Sequence, residues 1–376
     1  MPPRLAPHLD MVAIDPLSDS VDLAAWQALA KGASDANPFF GPQFLIPFVR
    51  HLGPRGLKLA VVFNRTLGNW LIAAPVGRRR IGQCVPAATV WATEYAPLGT
   101  PLMDRAAPPE AVDLFLKALT TIAGTPLVAV PYLPLDSTSA AQFLTVDRGW
   151  TWTLARQASR AAHDAGAKGE AQFAAAFSGK RRKELTRLMR RLEEQGEVSL
   201  NRISGPKAAG VFEQFLELEA AGWKGRSGTA LACQAQTAAF ARQMIATRAA
   251  TDGVLIDRLT VSGRPVAMLV LLREAGRIFS WKIAFDETFA RYSPGAQIAL
   301  FAMKQNLADP DISGADSLAV PGHPMIGPLW RGTVDTATLL QARSPAGRAL
   351  LKAGEVDVNL AQSARGFARR LLKPRR

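Results

Sequence analysis

Two adjacent carboxylates, Asp286 and Glu287, end a largely apolar run that begins at Trp281. A small-residue corner, Arg291-Tyr292-Ser293-Pro294-Gly295, follows them. A carboxylate can bind an amine or take a proton from one. The corner opens a helix expected from Gly295 to about Leu307. A first helical turn carries unpaired N–H groups and a partial positive charge. Strand, tight loop and helix N-terminus together make a seat for an anion such as a phosphate. The plain alternative is one strand-to-helix corner among several, with Asp286 and Glu287 a solvated pair. Pro294 supplies no N–H, so the seat has fewer donors than a glycine-rich loop.

Other residues of reactive type lie around this stretch. Lys282 shares a strand face with Ala284 and Asp286. A strand lysine on a buried face is uncommon, so it either pairs with a carboxylate or a substrate anion, or points outward. His323, in Pro321-Gly322-His323-Pro324, follows a short strand expected at Ser317–Val320, beside Asp316. Asp316 and His323 either face an acceptor pocket, or His323 is a loop histidine with a local hydrogen bond. Trp223, Lys224 and Arg226 form a loop that either gates an acceptor or caps a helix with an anchoring tryptophan. The two cysteines, Cys84 and Cys233, are far apart in sequence and make neither a disulfide framework nor a metal site.

The elements that must position these residues are legible from period and punctuation. Helices are expected at 21–31, 43–51, 108–122, 137–146, 179–195, 206–222 and 234–250. Strands are expected at 57–63, 70–76, 89–95, 127–130, 151–155 and 198–203. Three more, at 254–261, 266–273 and 277–285, are joined by short turns and should be antiparallel. Residues 1–20 read as an unstructured lead-in, and 156–170 as a linker rich in Ala, Gly and charge. The long helix from Gly179 sets Leu185, Leu188, Met189 and Leu192 on one face. Its other face carries Lys180, Arg181, Arg182, Lys183, Arg187, Arg190 and Arg191. The two halves follow one order, with Pro97 and Gly99 standing where Pro294 and Gly295 stand later. This suggests two copies of one α/β unit.

Composition sets the outer limits. The 376 residues are 48% hydrophobic and 20% charged, which is a globular chain with a sizeable core. No run of about 18 apolar residues occurs, and the N-terminus lacks the apolar core of a secretory signal, so a cytoplasmic protein is expected. The net charge of +14 favours anionic partners. An Ala- and Arg-rich composition is equally the mark of GC-rich coding, which weakens that pointer. Nucleic acid is disfavoured, because the basic helix lacks interleaved aromatics.

Several motifs together resemble a known family. They are Lys180-Arg181-Arg182-Lys183-Glu184-Leu185, Leu218-Glu219-Ala220-Ala221-Gly222-Trp223-Lys224-Gly225 and Gly263-Arg264-Pro265-Val266-Ala267. Lys282-Ile283-Ala284-Phe285-Asp286-Glu287 and Tyr292-Ser293-Pro294-Gly295 complete the set. Residues 170–330 resemble the CelD-like, BioF-like acetyltransferase domain of the GNAT superfamily. Two such units in tandem are similar to Fem-type aminoacyl transferases. The resemblance implies an α/β (α+β) fold of two GNAT-like units in tandem, each a mixed, mostly antiparallel sheet flanked by helices. The expected division is 1–160, 161–345 and a basic helical tail at 346–376.

The resemblance further implies an acyl-CoA-dependent N-acyltransferase, using acetyl-CoA or another acyl-CoA and no metal, in polysaccharide or cell-envelope metabolism. The alternatives are tRNA-dependent aminoacyl transfer and a catalytically degenerate binding module. The pyrophosphate would lie at Arg291, Tyr292, Ser293, Pro294 and Gly295. Asp286, Glu287 and His323 would be catalytic, and Tyr292 would protonate the leaving thiolate. Lys282, Trp223, Lys224 and Asp316 would meet a small-molecule or saccharide acceptor.

Overall fold

The computed structural model describes residues 8–177 and 179–371. In chain order the elements are β1 (Leu9–Ile14), α1 (Leu23–Gly32), α2 (Pro42–His51), β2 (Lys58–Asn64), β3 (Trp70–Arg80), β4 (Pro86–Val90), β5 (Leu102–Met103), α3 (Pro109–Ala123), β6 (Leu127–Pro134), α4 (Thr138–Thr145) and β7 (Thr151–Asp164). They continue as α5 (Gly166–Ala176), α6 (Gly179–Glu193), β8 (Val198–Ser204), α7 (Lys207–Ala221), the single turn α8 (Trp223–Arg226) and α9 (Ala235–Ala249). Then come β9 (Val254–Val261), β10 (Arg264–Glu274), β11 (Arg277–Phe285), a 3-10 turn (Glu287–Tyr292), α10 (Pro294–Ala308), β12 (Gly314–Asp316), β13 (Gly332–Ala342) and α11 (Pro345–Leu371).

Two compact units divide the chain. One draws on 1–42, 54–158 and 335–376, the other on 43–53 and 159–334. In the first, strand order is β1-β2-β3-β4-β6-β13, with β4 and β6 parallel and the other neighbours antiparallel. In the second it is β8-β9-β10-β11-β12, followed by the end of β7. There β11 and β12 are parallel and the other neighbours antiparallel. Each unit is thus four antiparallel strands, a parallel fifth and an antiparallel sixth, with a helix (α3 or α10) in the fourth-to-fifth crossover. This is the tandem α/β architecture that the shared order of elements implies.

The hairpins of the second unit follow from turn chemistry. Ser262 and Gly263 have φ of 49° and 78°, and Ala275 and Gly276 have 46° and 73°. Two successive positive φ values are the type I′ pattern, which matches strand twist. One sheet face packs on α6 and α10 through Leu185, Leu192, Leu269, Leu271, Ile298 and Met303. On the other, Phe212 of α7 and Phe240 of α9 lie against Trp281. α2 belongs to this unit too, with Phe44 and Phe48 edge-on to Phe240 at 5.4 and 5.8 Å. Each such fully buried ring contributes about 1.5–3 kcal/mol.

Four expectations are corrected. Residues 9–14 form a strand on β2 within the expected lead-in. The expected linker at 156–170 is the second half of β7 and the start of α5. Its polar residues Arg160 and His163 are buried and partnered, which is why the segment looked solvated. The short strand is Gly314–Asp316, and 317–320 is irregular. Strand β13 was not expected at all.

Candidate functional site

The second unit has a wedge in its sheet. β11 and β12 pair only from Arg277 to Phe279 and from Gly314 to Asp316. β11 continues to Phe285, whereas the chain after Asp316 bends away, its Ser317 N–H donating to Ala161 O at 3.0 Å. An ion pair holds the vertex. Arg160 donates through Nη2 and Nε to Asp316 Oδ2 at 2.6 and 3.1 Å, and Leu318 N–H donates to Oδ1 at 2.9 Å. The Asp316 side chain is 2% exposed. It is therefore a fixed strut, its carboxylate engaged by Arg160 and the Leu318 amide.

Ladder alternation tells what β11 shows to the wedge. Asp286 N–H donates to Val266 O at 2.9 Å, so the Asp286 amide points toward β10. Alternate residues Phe285 and Ile283 then aim their backbone N–H and C=O at the opposite edge, into the wedge. Ile283 O is already engaged. Lys224 Nζ donates to it at 2.8 Å, and to Glu219 Oε1 at 2.8 Å. Glu219 is buried and accepts a second bond, from Leu231 N–H to Oε2 at 2.8 Å. Lys224 is thus a pinned cation at the wedge edge, tying α7 to β11. Gly225 is required beside it, since a Cβ there would lie 1.7 Å from Ala220 O.

The two carboxylates sit at the end of β11, each with its own arginine. Asp286 caps the 3-10 turn, accepting from Thr288 N–H (2.9 Å) and Oγ1–H (2.7 Å), and pairs with Arg264. Glu287 accepts from Arg226 and from Trp223 N–H (2.7 Å). Arg226, then the Trp223 amide, hold the Glu287 carboxyl below its ordinary range. A carboxylate so held favours binding a cation over taking a proton. Trp223 is 55% exposed. A cleft of about 660 Å³ opens here, lined by Glu217, Gly222, Arg226, Arg264, Asp286 and Glu287, among others.

The corner itself is lean in donors. Ser293 is left-handed (φ 53°) and its carbonyl takes the N–H groups of Ala296 and Gln297 at 3.0 and 3.1 Å. Pro294 has none, which leaves Gly295 N–H. Tyr292 is buried under the Arg291 guanidinium, 4.8 Å from its ring centre. α6 joins this corner, since Gln297 Nε2 donates to Leu185 O at 2.8 Å. Its Lys180, Arg181, Arg182, Lys183, Arg190 and Arg191 are exposed. The His323 turn approaches as well: a Cβ on Gly295 would touch Met325 at 3.9 Å. His323 Nδ1 accepts weakly from the N–H groups of Met325 and Ile326 at 3.3 and 3.4 Å, and burial lowers its pKa. Lys282 lies 5.8 Å from the Trp281 ring, at a β-bulge against Val270 and Leu271.

Asp286, Glu287, Trp223, Lys224 and the Arg291–Gly295 corner are therefore brought together, and Asp316 is set apart in its own ion pair. Glu219, Arg264 and Glu217 join the site without having stood out by type and spacing in the sequence. The first two lie inside the motifs quoted for the family resemblance, so the signal was present without a role attached. Among the described residues no group of three or more His, Cys, Asp or Glu is arranged to hold a metal ion. Nor is any helix there long and apolar enough to cross a membrane.

A mixed sheet whose fourth and fifth strands diverge, with a helix N-terminus at the open end, is the architecture of a GNAT-type acyltransferase. Residues 179–319 match the family model described as Acetyltransferase (GNAT) domain, so the second unit contains a GNAT-family acyltransferase domain. Among solved structures the chain is similar to FemX, at 9% identity and a TM-score of 0.57, over 92% of this chain and 100% of that one. It is also similar to a conserved protein of unknown function from Bacteroides thetaiotaomicron VPI-5482, at 12% identity and 0.54, over 87% and 99%. At these identities the likeness is one of fold. No curated protein matches the chain significantly.

Proposed function

We propose that the second unit is an acyl-CoA-dependent N-acyltransferase that moves an acetyl group to the amine of a small molecule or saccharide. The observation that carries this reading is the wedge, in which β11 runs on from Phe279 to Phe285 without β12 and then meets the α10 N-terminus. The pantetheine arm would lie along the Ile283 and Phe285 edge. The pyrophosphate would meet Gly295 N–H and Arg291, with the cations of α6 near by. Lys224 holds the edge in place by bonding Ile283 O.

In the reaction the amine nitrogen attacks the thioester carbon. A C–N bond forms, the C–S bond breaks, and the departing thiolate gains a proton. Asp286 and Glu287 bind the acceptor ammonium, which loses one proton to solvent to become the attacking amine. His323 takes the second proton from the attacking nitrogen, Tyr292 gives its own proton to the departing sulfur, and the proton held by His323 restores Tyr292 through solvent. Isothermal titration with acetyl-CoA tests the reading. Micromolar binding is expected, weakened at least tenfold by Arg291→Glu. That residue is exposed, so the variant leaves the core intact. Absence of binding by acetyl-CoA and by longer acyl-CoAs would sink the reading.

A further inference from the structure

The cleft beside Asp286 and Glu287 has a charge pattern that points to the class of acceptor. Three carboxylates line it, Glu217, Asp286 and Glu287, against two guanidiniums, Arg226 and Arg264. One negative charge is left in excess, on a chain whose net charge is +14. Among the described residues Glu217 is exposed and forms no salt bridge. The two arginines are each tied to one carboxylate, Arg226 to Glu287 and Arg264 to Asp286, and remain 63% and 68% exposed. A guanidinium has five N–H donors in a fixed fork, so each arginine keeps donors to offer a ligand. Those donors match the oxygens of a carboxylate or a phosphate, and the carboxylates match an ammonium.

A simple monoamine would meet Glu217 but leave both guanidinium faces to water. A simple anion would meet the excess negative charge. Only a molecule with both signs uses both sets of groups. The lining also has an apolar part, with Leu218, Ala221 and Pro265 among the charged residues. That leaves room for a short carbon frame between the two ends.

Building on the acyltransferase reading above, we infer that this cleft takes an acceptor amine that also carries an oxyanion group, either a carboxylate or a phosphate. The ammonium is bound on the Glu217, Asp286 and Glu287 side, and the oxyanion by Arg226 and Arg264. Asp286, which lines the cleft, directly follows the end of β11, the strand that borders the wedge.

Release of CoA thiol from acetyl-CoA tests this with matched acceptors. One arm compares the amino acids with their decarboxylated amines, and the other compares glucosamine 6-phosphate with glucosamine. The expected result is at least tenfold higher kcat/KM for the oxyanion-bearing member in one arm, and that arm identifies the oxyanion. Arg226→Gln with Arg264→Gln should raise the KM of that acceptor tenfold or more and leave the acetyl-CoA Kd unchanged. If the neutral members serve as well in both arms, or if the double variant spares the acceptor KM, the inference is overturned. Titration with acetyl-CoA separates the two claims. Loss of acetyl-CoA binding in the unaltered protein refutes the acyltransferase reading, whereas intact binding with indifference to the oxyanion refutes only the acceptor class.

Discussion

Replacing Lys224 by methionine should destabilise the second unit more than any ordinary surface change. The Glu219 side chain is 1% exposed and that of Lys224 22%. Methionine keeps the length of the chain but leaves Glu219 with one bond, from Leu231 N–H. Breaking a buried pair by removing one partner costs about 3–5 kcal/mol, because the remaining charge is uncompensated. Ile283 O also loses its donor, but it faces the wedge, where water can replace it. For a unit of this size each kcal/mol is worth about 2–4 °C, so Tm should fall by roughly 6–20 °C. Urea unfolding followed by circular dichroism gives the free energy directly. The control is Lys224→Met combined with Glu219→Gln, which removes both charges and should recover all but about 1 kcal/mol. If the single variant loses less than about 1 kcal/mol, or the double variant is no better than the single one, the pinned-lysine account is wrong.

Two further predictions follow from buried groups in the same unit. Asp316→Asn should cost about 3–5 kcal/mol, because Arg160 is left 5% exposed without its carboxylate. Limited proteolysis should then cut near Leu318, and unchanged stability would show that the ion pair does not hold the vertex. His163 gives a pH dependence. Its Nδ1–H donates to Asp164 O and its Nε2 accepts from Asn306 Nδ2, both at 3.0 Å, and its ring lies edge-on to Trp330. Burial depresses its pKa below 6.5, so below that pH the unfolded chain binds a proton that the folded one refuses. Stability is therefore full above about pH 6.5 and falls as pH drops, by up to about 1.4 kcal/mol per pH unit for this group. His163→Gln should flatten the slope measured by urea unfolding between pH 7 and 5.5. An unchanged slope would assign the effect elsewhere.

How far the sequence revealed this molecule depended on whether a residue's partner was near in the chain. The β9–β10–β11 meander was legible because the Ser262-Gly263 and Ala275-Gly276 turns carry their own conformational preference. The corner after β11 was legible as strand, small residues and helix. Strand β13 was hidden by Thr336, Thr338 and Gln341, which are all buried yet read as solvent-facing polar residues. The second half of β7 was hidden in the same way by Arg160 and His163, whose partners Asp316 and Asn306 lie more than a hundred residues away. β12 is only Gly-Ala-Asp, residues with little strand preference. In the site, Asp286 and Glu287 could be picked out by type and place. What type and spacing did not disclose is that Lys224 and Asp316 are each bound by a buried group of opposite charge.

The central claim is that the wedge beside β11 receives the acyl donor. Hydrogen exchange with and without acetyl-CoA measures it at peptide resolution. The account predicts slowed exchange at Ser280–Phe285 and at Gly295–Gln297. Saturating acetyl-CoA that leaves both segments unprotected, or protects only segments outside the second unit, would contradict it.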